Sequence, residues 1–184
     1  ESSGFRKNRR EVVSRCIERG INHIDACTIQ EVRAYSQALK GRRRQMRLHA
    51  SWYQKEVRRK KYRSFEKLKE TIDWGLQDAG LDYVDLWRIT LHEQSGKHSN
   101  AVIDETIKAL DWAKRTGRAR YIGVSSHDRP HIKWMIEQYP ELDIIVTPYT
   151  AKSKVVRDKS GLWAAMKKNK VGWFGIKPFA SNSL

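Results

Sequence analysis

Polar side chains follow an apolar run in the segment GLDYVDLWRITLHE, residues 80–93. The apolar run predicts a buried strand, and Thr90 and His92 come where that strand ends. A histidine at this point could act as a general acid or base near neutral pH, whereas a threonine hydroxyl is a poor acid there. His92 reaches the strand end only if the strand bulges or stops early. The chemistry of the chain therefore depends on which of the two side chains the strand presents.

Arg88 lies two residues before Thr90, so both side chains point to the same face of the strand. If that face lines a protein interior, the guanidinium has to be paired with an acid. Asp25, in the segment INHIDA, is the candidate partner, and the pair would then be structural. The alternative is that Arg88 binds the carboxylate or phosphate of an anionic ligand.

The positive charge of the chain is concentrated in one segment. The net charge is +16, and residues 40–63 contain eleven Lys or Arg against one acid, Glu56, which gives +10. Such a charge favours an anionic partner, such as nucleic acid, a phosphorylated ligand or an acidic protein. Residues 55–63 follow Trp52 and Tyr53, and this aromatic and basic mixture could hold an anion or single-stranded nucleic acid. A solvated basic face is the alternative, since no nucleic-acid-binding motif is present. The candidate anion-binding residues are Arg88, Arg58, Arg59, Lys60 and Lys61.

The length and composition fit one folded domain. With 184 residues, 39% of them hydrophobic, the chain can bury a sizeable core. It has no apolar run near the roughly 18 residues that span a membrane and no secretory signal at its start, so we expect a cytoplasmic protein. Cys16 and Cys27 are too few for a disulfide framework and lack metal-site spacing. Both are predicted to be reduced and half-buried, and no metal site is predicted.

Short apolar strands alternate with helical patterns along the whole chain. The predicted strands are residues 21–26, 46–51, 84–90, 119–126, 143–149 and 171–179. The predicted helices are residues 10–19, 31–39, 64–79, 101–115, 128–138 and 160–169, with Ser64 and Asp128 as N-caps. This alternation predicts right-handed βαβ units and a parallel sheet. Because HIDACTIQE, at the first strand, lacks the glycine-rich loop of doubly wound sheets, a barrel is favoured, with its function at the carboxyl ends of the strands.

Four motifs, GINHIDA, LDYVDLW, TGRARYIGVSS and VGWFGIKPF, resemble the aldo-keto reductases in their order and spacing. Members of that family are (β/α)8 barrels that transfer a hydride from NADPH to a carbonyl. The resemblance implies a parallel (β/α)8 TIM-type barrel, seen here without its first and last strands, and residues 1–184 as one partial aldo-keto-reductase-like barrel domain. It also implies that the last strand and the loop after it, outside these residues, carry most of the adenosine-phosphate site.

The catalytic tetrad of that family, Asp, Tyr, Lys and His, is matched at one position. The resemblance puts the Asp at Asp25, the Tyr at Gln30 and the His at Thr90. The Lys falls at Ala50 or Ser51. Carbonyl reduction needs a proton donor beside the developing alkoxide, and none of the replacements is a good acid near neutral pH. The candidate catalytic residues are Asp25, Thr90, His92 and His49.

The resemblance places Ser125, Ser126 and Lys177 beside the nicotinamide ring of NADPH. Ser125 matches the Ser-Asn pair of the family that contacts the nicotinamide amide, and Ser126 does not. The family Gln falls at Val146 or Thr147, so NADPH contacts are weakened.

Two functions remain open. One is an NADPH-linked oxidoreductase of small carbonyl compounds with altered active-site residues. The other is a pseudoenzyme whose basic face binds an anionic ligand, an acidic partner or nucleic acid.

Overall fold

Within the residues that the structure describes, six strands form one parallel sheet in which each strand pairs with the next along the chain. The structure is a computed structural model, and it describes residues 3–91, 98–150 and 160–179. Every adjacent pair of strands is parallel, so all the carboxyl ends lie at the same side of the sheet. The strands are β1 (His23–Ala26), β2 (Arg47–Ala50), β3 (Val84–Thr90), β4 (Ala119–Ser125), β5 (Ile144–Pro148) and β6 (Gly172–Ile176).

Helices alternate with the strands, as the sequence predicts. The predicted caps are confirmed, since the Ser64 hydroxyl accepts a hydrogen bond from the N–H of Lys67 and the Asp128 carboxylate accepts one from the N–H of His131. The predicted start of the first helix at residue 10 is wrong, because the helix begins at Ser3. The first turns of this helix are polar, so the sequence shows no hydrophobic periodicity there. The helices are α1 (Ser3–Glu18), α2 (Ile29–Ala38), α3 (Phe65–Ala79), α4 (Asn100–Arg115), α5 (Arg129–Gln138) and α6 (Leu162–Asn169).

The sheet curls so that its last strand approaches the first two. Between ring centroids, Phe174 in β6 lies 5.1 Å from His49 in β2 and 6.3 Å from His23 in β1. These contacts cross the concave face, since β1 and β6 stand at opposite ends of the strand order. A curled parallel sheet with alternating helices is the architecture of a (β/α)8-type barrel, which is the predicted fold class.

The hydrophobic core brings the sheet and the helices together. Trp52, two residues after β2, and Trp87 in β3 are fully buried in it. Gly75 in α3 leaves room for the first of these indoles, because a Cβ at this position would lie 2.7 Å from Cζ2 of Trp52. The close approach of helix and indole fixes the start of the segment that follows β2.

Replacing Gly75 by alanine is expected to lower the free energy of unfolding by about 1–3 kcal/mol, the usual cost of overpacking a core. The collision with the Trp52 indole outweighs the gain of about 1 kcal/mol that alanine brings to a helix interior. Gly4→Ala in α1 is the matched control, because nothing lies within 4 Å of a Cβ there. Urea unfolding followed by tryptophan fluorescence measures both variants, and equal effects would contradict the packing at Gly75.

Candidate active site at the carboxyl ends of the strands

Asp25 in β1 and Arg88 in β3 form a bidentate ion pair inside the barrel. Arg88 Nε donates to Asp25 Oδ1 at 3.0 Å and Nη2 donates to Oδ2 at 2.9 Å. Arg88 is only 5% exposed. Burial alone would lower the pKa of the guanidinium, but the charge and the hydrogen bonds of Asp25 raise it above its ordinary value. The predicted pairing of these two residues is therefore confirmed, and the pair holds β1 and β3 together across β2.

Thr90 is the last residue of β3 and shares the inward face with Arg88. Arg88 Nη1 donates to Thr90 Oγ1 at 3.0 Å, so the guanidinium binds the threonine as well as the aspartate. The strand therefore presents Thr90 where it ends. His92 lies outside the described residues, and its role stays a prediction.

Glu56 is a fully buried acid beside this pair. Its Oε1 accepts a hydrogen bond from the Ser51 hydroxyl at 2.8 Å, and its Oε2 accepts one from the backbone N–H of Thr90 at 2.8 Å. Burial raises the pKa of the Glu56 carboxyl to about 7, although the hydrogen bonds from Thr90 and Ser51 and the charge of Arg88 lower it. Glu56 can therefore gain or lose a proton near neutral pH. Sequence reasoning missed this role, because it counted Glu56 only as the one acid among eleven bases.

His49 lies in the barrel interior and does not line the pocket described below. Its Nε2 is 3.1 Å from Nδ1 of His23, and its ring packs against Phe174. Burial, together with the neighbouring His23, lowers the pKa of His49 to about 4. The imidazole is therefore neutral at pH 7 and has no proton to spare as an acid.

A pocket of about 300 Å³ opens at the carboxyl ends of the strands. Arg88 and Thr90 form part of its wall, and three of the residues that the sequence placed beside a nicotinamide also line it. Those three are Ser125, Ser126 and Lys177. Sequence reasoning did not foresee that Cys27, Tyr53 and His127 would contribute to the lining.

The nicotinamide candidates differ in burial and in backbone conformation. Ser125 and Ser126 are buried, and the Ser126 hydroxyl accepts a hydrogen bond from the N–H of Asp128. Val146 pairs in register with Ser125, so the two side chains point to the same face of the sheet. Lys177 is exposed and has a φ of 56°, in the left-handed region that non-glycine residues seldom adopt.

The predicted anion-binding residues divide between two places. Arg58 lines the pocket together with Arg88. Arg59 and Lys60 are exposed and do not line it, and Lys61 lies over the ring of Tyr62, 4.9 Å from its centroid. Of the four predicted residues in 58–61, Arg58 therefore contributes a cation to the pocket and the other three do not.

Gln30, which the resemblance puts at the position of the family Tyr, is exposed and outside the pocket lining. Its Oε1 accepts a hydrogen bond from Gln54.

Within the described ranges, no group of three or more His, Cys, Asp or Glu is placed to hold a metal ion. A search of the same ranges for a helix long and apolar enough to cross a membrane finds none.

Replacing Asp25 by asparagine is expected to lower the free energy of unfolding by about 3–5 kcal/mol, because it leaves the buried guanidinium of Arg88 without a counter-charge. Asp78→Asn is the matched control, since Arg33 binds Asp78 in the same bidentate way, at 2.7 and 3.2 Å, on the surface. Arg33 is 39% exposed, so the control should cost about 1 kcal/mol or less. Chemical unfolding measures both, and similar losses would contradict a special role for the buried pair.

Replacing Glu56 by glutamine is expected to remove a pH dependence of stability. The folded pKa of about 7 lies above the reference value of 4.5, so this carboxyl stabilises the fold below pH 4.5 and loses that contribution as the pH rises through 7. The loss amounts to about 3 kcal/mol.

Urea unfolding at about pH 4.5, 6 and 8 tests this, with the exposed Glu70→Gln as the control. As the pH rises from about 4.5 to about 8, the free energy of unfolding of wild type should fall by about 3 kcal/mol relative to that of Glu56→Gln. Parallel curves for the two proteins would show that Glu56 titrates normally.

The chain is similar to known reductases. The model of the Aldo/keto reductase family matches residues 6–184. The NADH-specific methylglyoxal reductase of Escherichia coli (strain K12) is 33% identical over 94 residues, which are 51% of this chain and 28% of that protein. The L-glyceraldehyde 3-phosphate reductase of the same strain is 29% identical over 120 residues, which are 64% of this chain and 33% of that protein.

The fold is shared with solved structures. An aldo/keto reductase from Klebsiella pneumoniae in complex with NADP and acetate has a TM-score of 0.77 at 15% identity, over 99% of this chain and 62% of that chain. The match thus covers less than two thirds of the length of each of these three proteins. Because the family model matches nearly all of the sequence, the chain belongs to the aldo/keto reductase family.

Proposed function

We propose that the pocket is the active site of an NADPH-linked oxidoreductase that reduces a small, negatively charged carbonyl compound. One observation supports this most strongly. The three residues that the family resemblance places beside a nicotinamide line the same pocket as Arg88 and Thr90. A hydride donor and an anionic carbonyl compound would therefore meet at the carboxyl ends of β3, β4 and β6, where barrel enzymes carry out their chemistry.

The pocket suits the reactive end of NADPH. Ser125 and Ser126 provide buried hydroxyls on one wall, and Lys177 lies at the mouth. A volume of about 300 Å³ is at the lower end of the range for ligand pockets, which fits a nicotinamide ring with a small substrate. Bound NADPH would supply the hydride. The protein would orient the carbonyl group and provide the proton.

The charge of the lining favours an anionic substrate. Arg58, Arg88 and Lys177 line the pocket, and among its described lining residues none is acidic. A guanidinium binds a carboxylate or a phosphate with two parallel hydrogen bonds when it is free to do so. Arg88 is already committed to Asp25, so Arg58 is the side chain that would hold the anionic group. One relative is named for a phosphorylated aldehyde, in agreement with this preference.

A second candidate function is anion binding without turnover. The observation that favours it is that both carboxylate oxygens of Asp25 are engaged by Arg88, while Gln30 stands at the position of the family Tyr. In that case the same pocket would hold the same anions, but no alcohol would form. The charge of the chain alone does not indicate nucleic acid, since no binding motif accompanies it.

The charge preference predicts a difference between glyceraldehyde 3-phosphate and uncharged glyceraldehyde. With NADPH and the full-length natural protein, we expect kcat/KM to be at least about tenfold higher for the phosphorylated aldehyde. Arg58→Ala should raise KM for the phosphorylated substrate by about tenfold and leave the uncharged one unaffected. Arg59→Ala, one residue outside the pocket lining, is the matched control and should change neither.

Absorbance of NADPH at steady state measures all six combinations of protein and substrate, and a parallel series with NADH tests the cofactor. Saturable binding of glyceraldehyde 3-phosphate with no oxidation of either cofactor would support the second candidate. Equal effects of Arg58→Ala and Arg59→Ala would contradict the assignment of the anion site.

A further inference from the structure

Glu56 is connected to the pocket by two hydroxyl groups. Its Oε1 accepts a hydrogen bond from Ser51 Oγ at 2.8 Å, and Ser51 Oγ lies 3.3 Å from Thr90 Oγ1. Glu56 and Ser51 have no exposed surface, whereas Thr90 lines the pocket. The three side chains therefore form a continuous row of oxygens from the protein interior to the place where a carbonyl would bind.

Arg88 takes up one lone pair of Thr90. Its Nη1 donates to Thr90 Oγ1 at 3.0 Å. A hydroxyl has one proton and two acceptor lone pairs. When Glu56 is protonated, its carboxyl donates to Ser51 in place of the reverse hydrogen bond, and the Ser51 hydroxyl is free to turn its proton to the second lone pair of Thr90. In that arrangement the proton of Thr90 points into the pocket.

We propose that Glu56 is the source of the proton in carbonyl reduction and that Ser51 and Thr90 carry it to the pocket. This inference rests on the proposed function. The carbonyl carbon gains the hydride that NADPH supplies, with NADP⁺ as the oxidised product, while the Thr90 hydroxyl protonates the carbonyl oxygen. Thr90 then takes the proton of Ser51, and Ser51 takes that of the Glu56 carboxyl. Glu56 is left as a carboxylate until solvent reprotonates it after the alcohol leaves.

The surroundings of Glu56 suit a carboxyl that holds a proton near neutral pH. Burial raises its pKa to about 7. The groups that lower it are the backbone N–H of Thr90, the Ser51 hydroxyl, the charge of Arg88 and the backbone of Trp52. The charge of Arg88 is offset by Asp25, so the carboxyl is not forced to ionise. An acid with a pKa near the working pH is the one that general acid catalysis uses best.

The other candidate donors are less suitable. Gln30 has no acidic proton and lies outside the pocket lining. His49 is neutral and lies in the barrel interior. Tyr53 is the competing donor, because its phenol lines the same pocket. Any test of the row has to separate Glu56 from Tyr53.

Four variants of the full-length protein test the proposal with NADPH and glyceraldehyde 3-phosphate, from about pH 5 to about pH 9. Glu56→Gln keeps the size of the side chain but cannot deliver a proton, and Thr90→Val removes the hydroxyl that faces the pocket. Both should lower kcat by about 100-fold or more, with KM within about threefold of wild type. Thr90→Ser and Tyr53→Phe, which keep the row intact, should stay within about tenfold. Wild-type kcat should fall as the pH rises above about 7.

A second measurement does not depend on turnover. Between about pH 5 and about pH 7, where ordinary carboxyls are ionised, the infrared C=O band of a protonated carboxyl should be present in wild type, Thr90→Val and Thr90→Ser, and absent from Glu56→Gln. A band that titrates in Thr90→Val, together with lost turnover, would support the row and exclude a purely structural role for Glu56.

The outcomes separate the two proposals. No turnover by wild type with any carbonyl compound would refute the proposed function, and with it the proton transfer from Glu56 through Ser51 and Thr90. Wild-type turnover that persists in Glu56→Gln or Thr90→Val would refute the row alone, as would loss of turnover in Tyr53→Phe only. An infrared spectrum in which Glu56 is ionised throughout the pH range would overturn the row whatever the kinetics.

Discussion

The bidentate ion pair between Asp25 and Arg88 is the interaction on which the rest of the barrel mouth depends. A guanidinium that is 5% exposed has to be paired, and the pairing ties β1 to β3 across the intervening strand. Nη1 of Arg88 donates to the Thr90 hydroxyl, and the backbone N–H of Thr90 donates to Glu56. Three strand ends and the first turns of the β2–α3 segment are therefore held in one hydrogen-bonded unit.

The same pair changes the chemistry that the barrel can perform. The family resemblance puts Asp25 in a tetrad with Tyr, Lys and His, and it puts Gln30 and Thr90 at two of the other tetrad positions. The carboxylate of Asp25 supports an arginine instead, and the positive charge left over at the mouth comes from Arg58 and Lys177. A reductase built this way has to draw its proton from elsewhere. The buried acid Glu56 is within reach through Ser51 and Thr90.

Much of this arrangement could be predicted from the sequence, because it follows from simple periodicities. Strand alternation puts Arg88 and Thr90 on one face, and the cost of burying an unpaired charge points to Asp25. Glu56 could not be found in this way. It lies in the irregular segment between β2 and α3, whose direction no periodicity encodes, and a count of charges treats every acid in a basic run as exposed. The same irregularity explains why Arg58 lines the pocket while Arg59 and Lys60 do not.

We propose that hydride transfer to a carbonyl takes place in this barrel although Arg88 holds Asp25, the residue that the family resemblance makes the catalytic Asp. The most direct measurement uses NADPH in which both hydrogens at C4 of the nicotinamide are deuterium, with glyceraldehyde 3-phosphate, the full-length natural protein and mass spectrometry of the alcohol formed. We predict that the new carbinol carbon carries one deuterium. An unlabelled alcohol, or no alcohol from a protein that circular dichroism shows to be folded, would contradict the claim.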